Sequence, residues 1–381
     1  MIILLARRPC SAKASLLPDN KLHTPAQDLD LLRDIVRQAG DIAAAAYHAG
    51  NAKKWDKADH SPVTDADIAV NDFLAETLQA ARPDYGWLSE ETKDDASRHS
   101  RKRSFVVDPI DGTRSFIDRT RNFTVCVAII EDGAPIAGVV FNPLKDEMYE
   151  AYLGGGAKLN GAAIKAKDRS EIEGCEMVGY PRKFRRLGFP DMNCRIANSM
   201  AYRMVLVASG EAHAALAFTP KSDWDVAAAS LIASEAGAVI TDIRGHTPRF
   251  NGPTTSGMGV ICAGPMLQLL LLDRVKPHLA KFDKSLDKVQ DFKHLGTTMS
   301  DREASDIQLL HLVIGGELVD PMKTEFKDLT AVDYVGAYSC FDDARAAWKS
   351  AAQRSVDNAH MRYFILHAHE LIDPDKDGII G

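Results

Sequence analysis

The sequence predicts an α/β fold, built as a layered αβαβα sandwich and followed by a small C-terminal α/β domain. Three observations lead to this prediction. Two helical patterns open the chain, strand patterns fill residues 122–164, and helices and strands then alternate as far as residue 280. Because every helix stripe and every sheet face must bury its apolar side against another element, this alternation indicates stacked layers.

Length and composition limit the classes of function. The 381 residues are enough for two or more domains, and 45% hydrophobic and 26% charged residues are typical of a soluble globular protein. The net charge of -7 argues against an overall nucleic-acid-binding surface, and no apolar stretch approaches the ~18 residues that span a bilayer. The six cysteines lack C-x-x-C or zinc-type spacing, which favours reduced thiols. We therefore expect a cytoplasmic protein that binds neither nucleic-acid polymers nor membranes.

Two helices are the first predicted elements. Apolar residues at helical spacing predict a helix over Asp30–Gly50, whose last residue is a C-cap glycine. A second helix is predicted to end near Ala81, with Thr64 or Asp65 as N-cap, because either side chain can accept a hydrogen bond from the first free amide groups. Residues 1–26 precede these helices, and we expect them to form a disordered extension.

Three strands follow, at residues 123–130, 136–141 and 147–153, where β-branched and aromatic residues dominate. Residues 131–133 have the composition of a hairpin turn. Gly154–Gly156 predicts a further turn or bulge, since no helix with the spacing of a phosphate-binding loop comes after it.

Alternating helices and strands complete the first domain, which we place at residues 27–282. The predicted helices are Ala201–Gly210, Trp224–Ala236 and Pro265–Ala280, and the predicted strands are Ala214–Phe218, Val239–Ile240 and Val260–Ala263.

A charged segment, Lys281–Lys293, is predicted to link this domain to a second one at residues 295–381. We expect Gly315 and Gly316 to end the first strand of that second domain. Its predicted elements are strands at Leu309–Ile314, Tyr334–Ser339 and Met361–His367 and a helix at Phe341–Asp357.

The most informative motif is Asp108–Thr113, which reads D-P-I-D-G-T and directly follows the apolar run Phe105–Val107. Asp108 and Asp111 lie three residues apart at the end of a predicted buried strand, so that both carboxylates point into one small volume. Carboxylates this close repel each other unless a cation lies between them, and hard oxygen ligands suit Mg²⁺. Taken alone, the motif is equally compatible with a structural turn.

Two further motifs change this balance. Glu90 and Glu91 form an acidic pair upstream, and Asp225 lies downstream in a W-D-x-A-A motif. With these three motifs in this order, the chain resembles the inositol monophosphatase superfamily of Mg²⁺-dependent, lithium-sensitive phosphatases over about residues 28–280. The resemblance implies a five-layered sandwich of the sugar-phosphatase type. The C-terminal domain resembles a bacterial domain of unknown function, which adds no chemistry.

The resemblance also implies a set of metal ligands. Glu90, Asp108 and the carbonyl of Ile110 would hold one Mg²⁺, and Asp108, Asp111 and Asp225 would hold a second. A third, weaker site near Glu90 would give three ions. Two metals a few ångströms apart can activate a water, neutralise the phosphoryl oxygens and stabilise the leaving oxygen.

Roles in water activation and phosphate binding are implied in the same way. The family's threonine–aspartate pair, which activates the water, maps to Thr113 and Asp65, and Glu90 is assigned to catalysis beside them. Asp65 also fits the role of helix N-cap. Lys57 takes the position of a loop lysine in the family and is expected to bind substrate. Gly112 and Thr113 offer backbone amides to phosphate.

Substrate choice is expected to depend on Ser199–Arg203. Inositol-specific members tend to have a glycine-threonine-alanine run here, whereas this chain has Asn198, Ser199 and Met200. Arg203 falls where the bisphosphate nucleotidase branch carries a lysine that faces the second phosphate, and a guanidinium suits bidentate phosphate recognition. The alternative for Arg203 is an exposed charge on a helix.

These features predict a 3′(2′),5′-bisphosphate nucleotidase acting on a small phosphate ester. The alternative is an inositol monophosphatase, with sugar bisphosphatase and histidinol-phosphatase as minor options. A non-catalytic scaffold is the rival from another class. It would be expected to have lost a carboxylate or the threonine, and none is missing. A homodimer is left open as the assembly.

Overall fold

The computed structural model describes residues 23–57, 61–279, 311–319, 326–338, 341–354 and 360–367. The chain divides into two compact units, with the boundary between Asp287 and Lys288. Most of the predicted extension and the predicted linker Lys281–Lys293 lie outside the described residues. Within the described ranges, no helix combines the length and the apolar character needed to cross a bilayer.

Two helices begin the first unit and pack against one face of a large sheet. The elements of this part are α1 (Pro25–Ala49), β1 (Lys54–Asp56), β2 (Pro62–Thr64) and α2 (Asp65–Ala81). Thr24 caps α1, so that this helix begins at Pro25 and not at the predicted Asp30. Thr64 is the N-cap of α2, in preference to Asp65.

A seven-stranded sheet forms the first β layer, in the spatial order β3-β4-β5-β6-β7-β8-β9. Its elements are β3 (Gly86–Ser89), β4 (Arg103–Asp111), α3 (Thr113–Ile117), β5 (Thr124–Glu131), β6 (Ala134–Asn142), β7 (Glu147–Tyr152), β8 (Ala157–Leu159) and β9 (Ala162–Ala163). The pair β3–β4 is parallel and the other pairs are antiparallel. The three strands predicted between residues 123 and 153 are therefore present, with slightly shifted ends.

A five-stranded sheet forms the second β layer, in the order β11-β10-β12-β16-β14. The elements of this part are β10 (Glu176–Val178), α4 (Pro181–Arg186), β11 (Asn193–Arg195), α5 (Met200–Ala208), β12 (Ala214–Ala217), β13 (Lys221–Ser222), α6 (Asp223–Glu235), β14 (Val239–Thr241), β15 (Ser256–Gly257), β16 (Val260–Ala263) and α7 (Pro265–Val275). The sequence did not predict β10, α4 and β11, which are short. The predicted closing helix is also shorter than expected, since α7 passes into a 3₁₀ turn at Lys276–His278.

Helices α5 and α6 lie between the two sheets and share one apolar core with both. Helix α7 packs on the far side of the second sheet. The order of layers is therefore α1/α2, sheet, α5/α6, sheet, α7, which confirms the predicted αβαβα sandwich. The close approach of α6 to β6 depends on Gly138, where a Cβ would lie 3.1 Å from the Ala228 backbone.

The second unit contains a three-stranded antiparallel sheet in the order β18-β17-β19. Its elements are β17 (His311–Glu317), β18 (Asp333–Tyr338), α8 (Phe341–Arg354) and β19 (Met361–His367), and α8 contacts all three strands. Gly315 and Gly316 lie inside β17, so the prediction that they end the strand is wrong. The ring of Tyr363 occupies the space that a Cβ at Gly315 would need.

Candidate metal centre and active site

Three carboxylates meet at the end of β4. Asp108, Asp111 and Asp225 each place one oxygen within 4.8 Å of the other two. Asp108 and Asp111 come from the last residues of β4, and Asp225 comes from the first turn of α6. The first two are buried, with 1% and 6% of their surface exposed. Three carboxylates this close are suited to holding a hard cation.

A β-bulge brings the two β4 carboxylates to the same side of the sheet. Residues three apart on a regular strand face opposite sides. Here the register passes from Asp108↔Cys126 to Asp111↔Thr124, so that β4 advances three residues while β5 advances two. Because side chains alternate between the two faces of a strand, the extra residue on β4 brings Asp111 back to the face that Asp108 occupies.

The start of α5 holds Asp111 in place. Its carboxylate accepts hydrogen bonds from the hydroxyl of Ser199 (2.7 Å) and from the backbone amides of Met200 (3.2 Å) and Ala201 (2.7 Å). Ser199 is fully buried and also lies 3.1 Å from the Thr124 hydroxyl. Ser199, which we predicted to contact substrate, instead orients a carboxylate here and does not line the cavity described below.

Burial and mutual repulsion raise the proton affinity of the acidic cluster. The pKa of Asp108 lies well above its ordinary value because the side chain is buried and faces the charges of Glu90, Asp111 and Asp225. Burial, together with the charge of Asp225, raises the pKa of Asp111 to about 6 against the hydrogen bonds from Ser199 and Ala201. A bound cation would remove this repulsion, so the oxygen donors present here fit Mg²⁺.

Glu90 is partly buried, and its partner is Lys57. The Lys57 ammonium lies 2.7 Å from Glu90 Oε1 and 2.6 Å from Glu91 Oε1. Burial raises the pKa of Glu90 to about 7, although the charge of Lys57 opposes the change. Lys57 thus contacts the acidic pair and does not line the cavity described below, where we expected it to bind substrate.

Thr113 pairs with Asp67. Its hydroxyl lies 3.1 Å from Asp67 Oδ1 and 3.2 Å from the carbonyl of Ile110. Asp67 is buried and also accepts hydrogen bonds from the Thr64 amide (2.9 Å) and hydroxyl (2.6 Å). Burial raises the pKa of Asp67 to about 6.

The predicted pairing of Thr113 with Asp65 is therefore wrong. Asp65 is exposed and accepts a hydrogen bond from the Lys53 amide (3.1 Å). Residues two apart in a helix point roughly 200° away from each other. With Thr64 as N-cap, the third helical residue, Asp67, faces inward and Asp65 faces solvent.

The acidic cluster opens into a cavity of about 370 Å³. Arg203 lines this cavity while only 4% exposed, so that the alternative of a solvent-exposed helix charge is wrong. Its Nε donates to the Ala197 carbonyl (2.6 Å), and its guanidinium carbon lies 5.0 Å from the centre of the Tyr180 ring. The other functional side chains and backbone groups at the cavity are Glu90, Asp108, Ile110, Asp111, Gly112, Thr113, Arg114, Lys183, Lys221 and Asp225.

Gly112 allows the chain to turn from β4 into α3. Its φ of 95° is a conformation that favours glycine, and a Cβ there would lie 3.1 Å from the Ser199 amide nitrogen. Tyr180 and Lys183 were not foreseen as cavity residues. Their segment, around α4, carries no apolar periodicity that could have revealed it.

A layered α/β sandwich with buried carboxylates and a threonine–aspartate pair around one cavity defines a metal-dependent phosphomonoesterase. The chain belongs to the inositol monophosphatase family, whose sequence model matches residues 25–279. Residues 309–368 match a domain of unknown function, DUF4170.

Known relatives fall into several branches of this family. The chain is 36% identical over 241 residues to the 3′(2′),5′-bisphosphate nucleotidase CysQ of Escherichia coli O157:H7. The alignment covers 58% of this chain and 94% of CysQ. The chain is 31% identical over 236 residues to a histidinol-phosphatase of Chlorobaculum parvum, with coverage of 59% and 89%. The extragenic suppressor protein SuhB of Bartonella henselae shares the fold, with a TM-score of 0.59 and 24% identity over 66% of this chain and 98% of SuhB.

Proposed function

We propose that this protein is a Mg²⁺-dependent phosphatase whose substrate is a nucleoside 3′(2′),5′-bisphosphate. One observation carries the proposal. The clustered carboxylates of Asp108, Asp111 and Asp225 line one cavity together with Thr113, whose hydroxyl is hydrogen-bonded to Asp67, so an ester phosphate and a water can meet there.

The residues present suit two ions. Glu90, Asp108 and the Ile110 carbonyl would hold one Mg²⁺, and Asp108, Asp111 and Asp225 the other. Mg²⁺ bound there supplies positive charge that stabilises the phosphoryl oxygens in the transition state. Asp108 belongs to both sets, so its charge matters most.

The protein's own groups handle the proton of the attacking water. Thr113 Oγ1 accepts that proton as it passes its own to Asp67 Oδ1, 3.1 Å away. Because burial raises the pKa of Asp67 to about 6, this carboxylate is a better base near neutral pH than an exposed aspartate. The neighbouring Gly112 and Thr113 also line the cavity and are suited to contact the phosphate through their backbone amides.

Two observations favour a bisphosphate over an inositol phosphate. The first is the buried Arg203 in the cavity, since a guanidinium can bind a phosphate through two parallel hydrogen bonds. The second is the similarity to CysQ, which covers nearly all of that nucleotidase.

A phosphate-release assay with Mg²⁺ tests the proposal. The substrates are adenosine 3′,5′-bisphosphate, inositol 1-phosphate and fructose 1,6-bisphosphate, and the negative control is a folded Asp108→Asn variant. We expect the highest kcat/KM with the nucleotide and almost no turnover by the variant, because losing two-metal stabilisation costs several kcal/mol of barrier. A preference for inositol 1-phosphate would move the protein to the alternative branch. Full activity of Asp108→Asn would overturn the site, and inactivity on every ester would favour a scaffold.

A further inference from the structure

The cavity carries positive charge as well as the acidic cluster. Lys183, Arg203 and Lys221 all line it, and they come from α4, α5 and β13, three separate segments. Cations gathered from different parts of a chain into one small cavity form a typical anion-binding arrangement.

The three cations differ in their partners. Lys221 Nζ lies 3.7 Å from Asp225 Oδ2, so the acidic cluster balances its charge. Lys183 and Arg203 form no ion pair with any carboxylate in the described part of the chain. Instead, the Lys183 ammonium lies 5.8 Å and the Arg203 guanidinium 5.0 Å from the centre of the same Tyr180 ring.

The proximity of the positively charged Lys183 and Arg203 side chains is electrostatically unfavourable without a bound anion. Partial burial, followed by the positive charges of Lys221 and Arg203, lowers the pKa of Lys183. Burial likewise lowers the pKa of Arg203. A phosphate dianion between the two side chains would offset both costs and accept charge-assisted hydrogen bonds from each.

We infer that Lys183, on the short helix α4, is a specificity-determining residue that binds, together with Arg203, the substrate phosphate that is not cleaved. The inference rests on the proposed function, because the phosphate that reacts must lie at the acidic cluster. Lys183 is exposed at the cavity, and within the described residues it forms no ion pair with a proposed metal ligand, so it should act on substrate selection and not on the chemical step.

The test compares two substrates that differ only in the second phosphate. Adenosine 3′,5′-bisphosphate and adenosine 3′-monophosphate are hydrolysed by full-length wild type and by Lys183→Gln. We expect the variant to lose about tenfold or more in kcat/KM on the bisphosphate, the usual effect of losing one charge-assisted hydrogen bond, and little on the monophosphate. Lys183→Arg should retain most of the preference. Arg186→Gln is the matched control, because it removes a positive charge from an exposed residue of the same helix that does not line the cavity.

A binding measurement separates the inference from the proposed reaction. Adenosine 5′-monophosphate carries only the phosphate that is not cleaved, so calorimetry should show about tenfold weaker binding to Lys183→Gln than to wild type. Equal losses on both nucleotides, or unchanged binding of adenosine 5′-monophosphate, would overturn the role of Lys183. If the wild type hydrolyses neither adenosine 3′,5′-bisphosphate nor adenosine 3′-monophosphate but cleaves fructose 1,6-bisphosphate, the proposed substrate class is wrong. A Lys183→Gln loss that is confined to this sugar bisphosphate and absent with fructose 1-phosphate would still uphold the second phosphate site.

Discussion

The hydroxyl of Thr113 lies 3.1 Å from the carboxylate of Asp67, a residue 46 positions earlier in the chain. The two residues belong to different elements, since Thr113 begins α3 and Asp67 lies in the first turn of α2. Their contact joins the start of α3, just after β4, to the helix layer on the outside of the sheet.

This contact predicts opposite outcomes for two neighbouring aspartates. Asp67→Asn should lower kcat by about 10²–10⁴, the usual contribution of a general base, because an amide cannot accept the proton from Thr113. Asp65→Asn should leave kcat near the wild-type value, because that side chain faces solvent. The measurement is steady-state kinetics at saturating Mg²⁺, with circular dichroism to verify the fold. A larger loss in Asp65→Asn would restore the pairing predicted from the sequence.

The acidic cluster makes the stability of the metal-free protein depend on pH. Burial raises the pKa of Glu90 from 4.5 to about 7 and that of Asp111 from 3.8 to about 6. Between pH ~4 and ~7 the folded state therefore holds protons that the unfolded state releases, so stability falls as pH rises through this window. Thermal melts in excess chelator should show the decline, and Asp108→Asn should show a shallower one because it removes a buried charge. Mg²⁺ should raise the Tm more at pH 8 than at pH 5. A chelated protein that gains stability across the window would contradict the electrostatic argument.

Removal of the metal should abolish catalysis. Excess chelator should stop phosphate release and added Mg²⁺ should restore it, because the cluster has too few positive charges of its own to neutralise a phosphoryl group. Lithium should inhibit at millimolar-scale concentration, as the resemblance to the family implies. The assay is phosphate release during titration with each ion, with Na⁺ as the control for ionic strength. Robust activity in chelator would rule out a metal-dependent mechanism.

Arg203 should distinguish bisphosphates from monophosphates. Arg203→Ala should weaken hydrolysis of adenosine 3′,5′-bisphosphate about tenfold or more relative to inositol 1-phosphate, because a charge-assisted hydrogen bond is worth ~1.5–3 kcal/mol. Arg203→Lys keeps the charge and should recover part of the loss. The ratio of kcat/KM values is the readout. Equal losses on both substrates would make Arg203 a structural residue and favour the inositol branch.

The C-terminal unit should be dispensable for the chemistry. All proposed ligands lie between Glu90 and Asp225, and the family match ends at residue 279. Deleting residues 295–381 should therefore leave a phosphatase with unchanged metal dependence. Comparing kcat and KM of the shortened and full-length proteins on the best substrate checks this. A collapse of kcat in a shortened protein that is still folded would show that the second unit completes the active site.

Local motifs were enough to predict that three carboxylates lie close together. Asp108, Asp111 and Asp225 each lie in a short motif at the end of a strand or the start of a helix, and the alternating patterns predicted the order of layers. The bulge that turns Asp111 toward Asp108 could not be foreseen, because it depends on pairing with β5.

The errors have a common physical origin. The partner of Thr113 could be chosen between Asp65 and Asp67 only by knowing which face of α2 points inward. That orientation depends on where the helix begins, and the structure shows Thr64 as its N-cap. A serine hydroxyl such as that of Ser199 can hydrogen-bond to a substrate or to a carboxylate, and only the folded structure shows that it donates to Asp111. Helix α4, with Lys183, is short and strongly basic, so it has no apolar stripe to reveal it.

The absence of a side chain at Gly138 has a consequence for the geometry of the candidate active site. Ala228, whose backbone would meet a Cβ at Gly138 at 3.1 Å, lies about one turn beyond Asp225 on the same helix. Any side chain at Gly138 would have to displace α6 within a close-packed core, and Asp225 would move with it. Displacements of about 1 Å from productive geometry can reduce rates about 10²-fold. The position of Asp225 relative to Asp108 and Asp111 thus depends on the absence of a side chain at Gly138, in a strand that contributes no residue to the proposed metal site.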